Sequence, residues 1–121
     1  MAQPIIDRVL ADAREIIADR RRRLRGSEAV TANGRECDPC ASDAHRVCAV
    51  GALIRAAYKL SGDHEQAHRL GWEIASMIAD AAMLRGVDGD NGGWALARVS
   101  DTRGQGAVLR AVDLLIGQRR A

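Results

Sequence analysis

The stretch Ser42–Leu60, S-D-A-H-R-V-C-A-V-G-A-L-I-R-A-A-Y-K-L, decides the fold class. On a helix advancing about 100° per residue, Val47, Val50, Leu53, Ile54, Ala57, Tyr58 and Leu60 share a wide apolar arc. His45, Arg55 and Lys59 fall opposite, with Cys48 and Ala52 among them. A helix with so little polar cover belongs at the centre of a bundle. Ser42 or Asp43 supplies a side-chain oxygen to cap its first amides, so the helix is predicted over 43–60. Gly51 costs such a helix about 1 kcal/mol relative to alanine; a close helix–helix contact would explain its presence.

Outward from this stretch, three more helices are predicted to cover it. The first runs over 4–24, where Ile5, Ile6, Val9, Leu10, Ala13, Ile16, Ile17 and Leu24 form a stripe at three- and four-residue steps. Gly26 stops it. The third spans 64–84 behind an Asp63–Gln66 capping pair, with Ala67, Leu70, Gly71, Ile74, Ala75, Ile78, Ala81 and Ala82 inward. Thr102 and Gln105 have the spacing of a second capping box, and the last helix is predicted over 105–116, with Val108, Leu109, Val112, Leu115 and Ile116 inward. Within the 27–41 loop, Asn33-Gly34 favours a tight turn that would fold Ala29–Thr31 back on Arg35–Cys37 as a minimal β-hairpin. The Gly and Asp content of 85–100 predicts an irregular connection, its second half pinned by Trp94, Leu96 and Val99. The expected architecture is all-α: one domain over 1–121, a compact bundle of four main helices with two long loops.

Composition narrows the function classes. The 121 residues suit one modest core. Phe is absent and aromatics reach only 2%, so that core must be Ala, Leu, Ile and Val, whose small volumes let helices approach closely. A net charge of +2 does not announce nucleic acid by itself. No run reaches the roughly 18 apolar residues of a membrane span, and no leader-like segment follows Met1, so a cytoplasmic protein is expected. Three cysteines, an odd number, point to reduced thiols or a metal rather than to a disulfide framework.

The sharpest constellation is C-x2-C-x4-H-x2-C at Cys37, Cys40, His45 and Cys48. Three thiolates and an imidazole make a tetrahedral zinc set. On the predicted first helical turn His45 and Cys48 face one way, and the positive helix end would lower the Cys48 pKa. The plain alternative is that Cys48 is a small core residue. A nucleophilic Cys48 would need His64 or His68 as base and Asp101 as orienter, which the spacing does not demand; solvated histidines are expected instead. Cys37-Asp38-Pro39-Cys40 lacks the preceding sheet of a thioredoxin-like redox motif.

The loop Asp88-Gly89-Asp90-Asn91-Gly92-Gly93 fails as a calcium loop, because Gly92 and Val99 stand where oxygen ligands are required. Asp88, Asp90, Asn91 and Trp94 remain as a recognition loop. The run Arg20, Arg21, Arg22, Arg23 and Arg25 is a candidate for nucleic acid or an acidic partner. Cations at a helix C-terminus also complement its dipole, and no aromatic platform accompanies the run. Met83, Trp94 and Leu96 serve equally as core or as a self-association patch.

Cys48-Ala49-Val50-Gly51-Ala52-Leu53 resembles a family of small bacterial and phage proteins of unknown function. Its pattern joins a Cys-Ala-x-Gly-Ala-Leu helix start to a late Trp-Asn-Asp before the last helix. The resemblance spans Ile5 to Ile116, but Val99-Ser100-Asp101 stands in place of Trp-Asn-Asp, and Cys37 and Cys40 lie outside the pattern. A zinc site would therefore be particular to this chain. The resemblance implies that Cys48, Gly51 and Asp101 belong together in the fold, and it lends no activity. The leading expectation is a non-catalytic accessory or regulatory protein that binds another protein, in the manner of a phage-type modulator of a host machine. The alternatives are a zinc-stabilised binding module and a nucleic-acid binder.

Overall fold

The computed structural model describes residues 4–84 and 92–121. Its elements are α1 (Pro4–Ala18), a 3-10 turn (Arg20–Arg22), β1 (Ala29–Val30), β2 (Arg46–Val47), α2 (Ala49–Ser61), α3 (His64–Ala81), α4 (Gly92–Thr102) and α5 (Gln105–Arg120). Five α-helices are thus described, where four main ones were expected. α2 packs on α1, α3 and α4, while α5 packs on α1, α3 and α4. Ala49–Ile54, Ala56 and Ala57 are all buried, including Ala52, which projection had placed on the polar side. The central position of this helix follows from that nearly complete burial.

The start of α2 differs from expectation by six residues. Arg46–Val47 pairs antiparallel with Ala29–Val30, in the register Ala29↔Val47 and Val30↔Arg46. The His45 amide donates to the Val30 carbonyl and the Cys48 amide to the Glu28 carbonyl. Those amides serve a strand, so the helix cannot begin before Ala49. Its N-cap is Cys48, whose Sγ accepts the Gly51 N–H at 3.3 Å. The expected fold-back at Asn33-Gly34 is present as an isolated bridge between Val30 and Glu36, with the Thr31 amide donating to the Arg35 carbonyl. The two-stranded sheet itself is completed by the later segment, Arg46–Val47.

α1 ends at Ala18 rather than near Leu24. The Asp19 carboxylate accepts the Arg21 N–H and caps a separate 3-10 turn, a local bond that competes with helix continuation. Asp63 caps α3 as expected, accepting the Gln66 N–H at 3.0 Å. Residues 92–100, predicted irregular, belong to α4. Ala95, Leu96, Val99 and Ser100 are its buried face, and packing of that face overrides the poor helix propensity of the preceding glycines. The second capping box is not formed: Gly104 is the N-cap of α5, and the Thr102 hydroxyl donates back to the Arg98 carbonyl. α5 runs four residues beyond its predicted end.

Two glycines hold the core together by lacking a side chain. A Cβ at Gly71 would stand 2.6 Å from Ile54 Cγ1, so the close α2–α3 crossing is made there. A Cβ at Gly51 would stand 2.1 Å from the Glu28 carbonyl oxygen. Gly51 thus admits the backbone before β1, not a neighbouring helix.

Candidate functional site

Three surface features gather the polar side chains that sequence alone left scattered. The first joins the 38–41 loop to the start of α3. His64 and His68 lie one turn apart, and both Nε2 atoms reach the same oxygen, Asp38 Oδ2, at 2.8 and 2.9 Å. Their ring centroids are 4.7 Å apart. The Cys40 amide donates to Asp38 Oδ1 at 2.8 Å, so the loop turns tightly and brings the Cys40 thiol to the same place. Arg55 of α2 secures the loop from beneath, donating to the Pro39 and Ala41 carbonyls at 3.0 Å each. Pro39 is fully buried. One ligand atom from each of Asp38, Cys40, His64 and His68 lies within 4.8 Å of every other.

Electrostatics at this cluster are strongly polarised. Burial pushes the Asp38 carboxyl up, but the Cys40 amide, the two imidazoles and the Cys40 thiol bond its anion and bring it down to about 2. The Cys40 thiol is pushed up to about 12, by burial first and then by its hydrogen bond to the Asp38 anion.

The predicted set Cys37, Cys40, His45 and Cys48 is not brought together. Among the described residues, the group close enough to share a metal ion keeps only Cys40 of the four. Its other members come from Asp38, His64 and His68. His45 is exposed on the approach to β2 and Cys37 is half-buried elsewhere in the loop. Cys48 is buried at the head of α2, where desolvation raises its thiol pKa. The Gly51 and Val50 amides act in the opposite direction, as expected of a helix start, but burial outweighs them. His64 and His68, expected to be solvated or to serve Cys48, are both bonded to Asp38 instead. Their four-residue spacing on a helix was a usable signal. The contact with a loop 26 and 30 residues away was not.

The second feature is a cleft of about 360 Å³ between the 26–29 and 36–37 segments and helices α2, α3 and α4. Trp72 and Trp94 form one wall, with ring centroids 5.3 Å apart and planes tilted by 45°. Glu28, Glu36 and Asp101 supply carboxylates, and no basic residue lines it among the described residues. Asp101 accepts the Gly26 N–H at 3.0 Å, and Glu36 accepts the Ser27 hydroxyl at 2.8 Å. Cys48 and Asp101 line this cleft together, close to the association the family resemblance implied. Trp94 is 57% exposed, Met83 is exposed and Leu96 is fully buried, which separates three residues that sequence left equivalent. Asp88, Asp90 and Asn91 of the expected recognition loop lie outside the described residues.

The third feature is a basic concavity at the N-terminus of α5. Arg20, Arg23, Arg25 and Arg103 line it with Gly104, Gln105 and Gly106. Arg21 is not among them; it pairs with Asp19. Arg22 borders a separate depression with Asp12, Glu15, Asp19 and Lys59. The Arg23 Nη2 atom is buried without a hydrogen-bond partner among the described residues. Arg23 and Arg25 lie beyond the end of α1 at Ala18, and Arg23 borders Ile16 and Ile17 of its last turn. Both also stand near the positive end of α5, whose N-cap Gly104 makes no side-chain capping bond.

The chain belongs to the Family of unknown function (DUF6197), which matches residues 1–118. No curated protein and no solved structure matches it. No helix among the described residues is long and apolar enough to cross a membrane.

Proposed function

We propose that this member of the family is a non-catalytic binding protein that takes a cationic side chain of a protein partner into the Trp72–Trp94 cleft. The carrying observation is the lining itself: two tryptophan rings beside Glu28, Glu36 and Asp101, without a base among the described residues. An arginine or lysine entering there meets carboxylates at its charged end and aromatic faces along its stem. We take this binding as an accessory or regulatory role, such as that of a bacterial or phage modulator acting on a larger machine.

Selection of displayed random peptides on the full chain tests this. Enriched peptides should carry Arg or Lys beside an apolar residue. Trp94→Ala should weaken a selected peptide by roughly 30-fold or more, as loss of a central tryptophan anchor does. Enrichment of acidic peptides, or affinity untouched by Trp94→Ala and Glu36→Gln, would reverse the reading.

A second reading, nucleic-acid or other polyanion binding, is favoured by the convergence of Arg20, Arg23, Arg25 and Arg103 on an uncapped helix start. Backbone amides and guanidiniums there present donors suited to a phosphate. Duplex DNA should then bind with a steep salt dependence, and Arg25→Ala or Arg103→Ala should each reduce the log–log slope by about 1. Absence of binding at low salt would remove this reading and leave the first untouched.

A further inference from the structure

We propose that Asp38, Cys40, His64 and His68 bind one divalent ion of the zinc class, in a closed structural site that ties the 38–41 loop to the start of α3. This goes beyond the cleft reading and does not depend on what occupies the cleft. The geometry carries it. Four donors of three chemical types converge from two segments distant in sequence, each offering an atom within 4.8 Å of the others. Both imidazoles already direct Nε2 to a single point, Asp38 Oδ2. A tetrahedral zinc site with bonds of about 2.0–2.3 Å sets its donors roughly 3.3–3.7 Å apart. The two Nε2 atoms therefore open slightly from Asp38 Oδ2, and the widest separations close by about 1 Å. His64, 63% exposed at its side chain, and Cys40, on a short loop, have room to do so.

The donor set also selects the metal. One thiolate, two imidazoles and one carboxylate suit a borderline ion in tetrahedral coordination. Calcium and magnesium are disfavoured, because only Asp38 offers a hard oxygen. With Asp38 and Cys40 both anionic, the divalent ion is neutralised. Each imidazole would give Nε2 to the metal. The proton that Nε2 donates to Asp38 passes through solvent to Nδ1, or leaves to solvent where Nδ1 already holds one, so the hydrogen bonds to Asp38 are exchanged for metal bonds. The thiol proton leaves to solvent. Four protein donors leave no vacant position for a substrate, which makes the role that of a staple. The Arg55 bonds to Pro39 and Ala41 hold the loop in place for it.

The test uses the full chain, freed of metal with chelator under reducing conditions and titrated with Co2+, then Zn2+. One Co2+ per chain should produce the intense visible absorption of a tetrahedral site and a thiolate-to-cobalt charge-transfer band, both abolished by one equivalent of Zn2+. Cys40→Ser should lose the charge-transfer band, whereas Cys37→Ser should retain it. His64→Ala, at an exposed position, should keep the helical circular dichroism of the parent. It should weaken Co2+ by at least the roughly 10- to 100-fold that removing even an outer hydrogen-bond partner of a ligand costs. Zn2+ should raise the Tm of the parent and not that of His64→Ala. A folded parent that gives only the faint absorption of octahedral cobalt would overturn the proposal. So would a charge-transfer band that survives Cys40→Ser and disappears with Cys37→Ser.

Discussion

A methyl group at Gly51 meets the Glu28 carbonyl oxygen, whereas one at Gly117 meets nothing within 4 Å. Both glycines are helical, so the same substitution should act in opposite directions. Gly51→Ala should destabilise by about 1–3 kcal/mol, because the backbone before β1 must move away. Gly117→Ala should stabilise by about 0.5–1 kcal/mol, through the lower helix cost of alanine. Urea midpoints of the two variants check this, and equal signs would show that Glu28 does not press on α2. Sequence marked Gly51 as anomalous in a helix but assigned it the wrong neighbour. Helix propensity is local, while the carbonyl that excludes a side chain arrives from residue 28. Cys48 illustrates the same limit. A helix start lowers a thiol pKa, yet here desolvation prevails, which no linear spacing could reveal.

Among elements, α1 and α5 are joined at the surface by Arg14, which donates from Nε and Nη2 to the two Asp113 oxygens at 2.6 and 3.0 Å. That bond holds the Asp113 carboxyl below its ordinary range. A carboxyl depressed on folding makes the unfolded chain the better proton binder. Its contribution is therefore complete above the unfolded pKa of about 3.9 and is lost as pH falls through the lower folded value. Both side chains are about half exposed, so screening limits the contribution to at most about 1 kcal/mol. Asp113→Asn should be less stable than the parent at neutral pH by that margin. The gap should close below pH of about 4 and narrow in high salt. Denaturation curves at the two pH values decide it, and a gap that widens in acid would refute the linkage. Element boundaries were legible where the signal was local: Asp63 caps α3 as its sequence predicts. They were lost where a partner intervened, as at β2, whose residues read as helix until paired with Ala29–Val30.

At the scale of the whole molecule, α2 is surrounded, with Leu53, Ile54, Ala56 and Ala57 at 0% exposure. Their amides should exchange hydrogen only through global unfolding, with free energies matching those from urea denaturation. Amides of the last turn of α5 should exchange by fraying. Protection of Leu53 and Ile54 well below the global value would mean that α2 is not the centre of stability. The sequence by itself determined this centrality, because the apolar arc of 47–60 and the scarcity of polar cover are properties of order and composition alone. It likewise determined the helical class, the α3 cap and the small-residue character of the core. Only tertiary structure decided where α2 begins, that 92–102 is helical, and which polar side chains meet. Asp38 and Cys40 reach His64 and His68, Trp72 reaches Trp94, and Arg23 and Arg25 reach the start of α5. The physical reason is range: periodicity and capping act over three or four residues, whereas each of these encounters is set by packing between segments more than 20 residues apart.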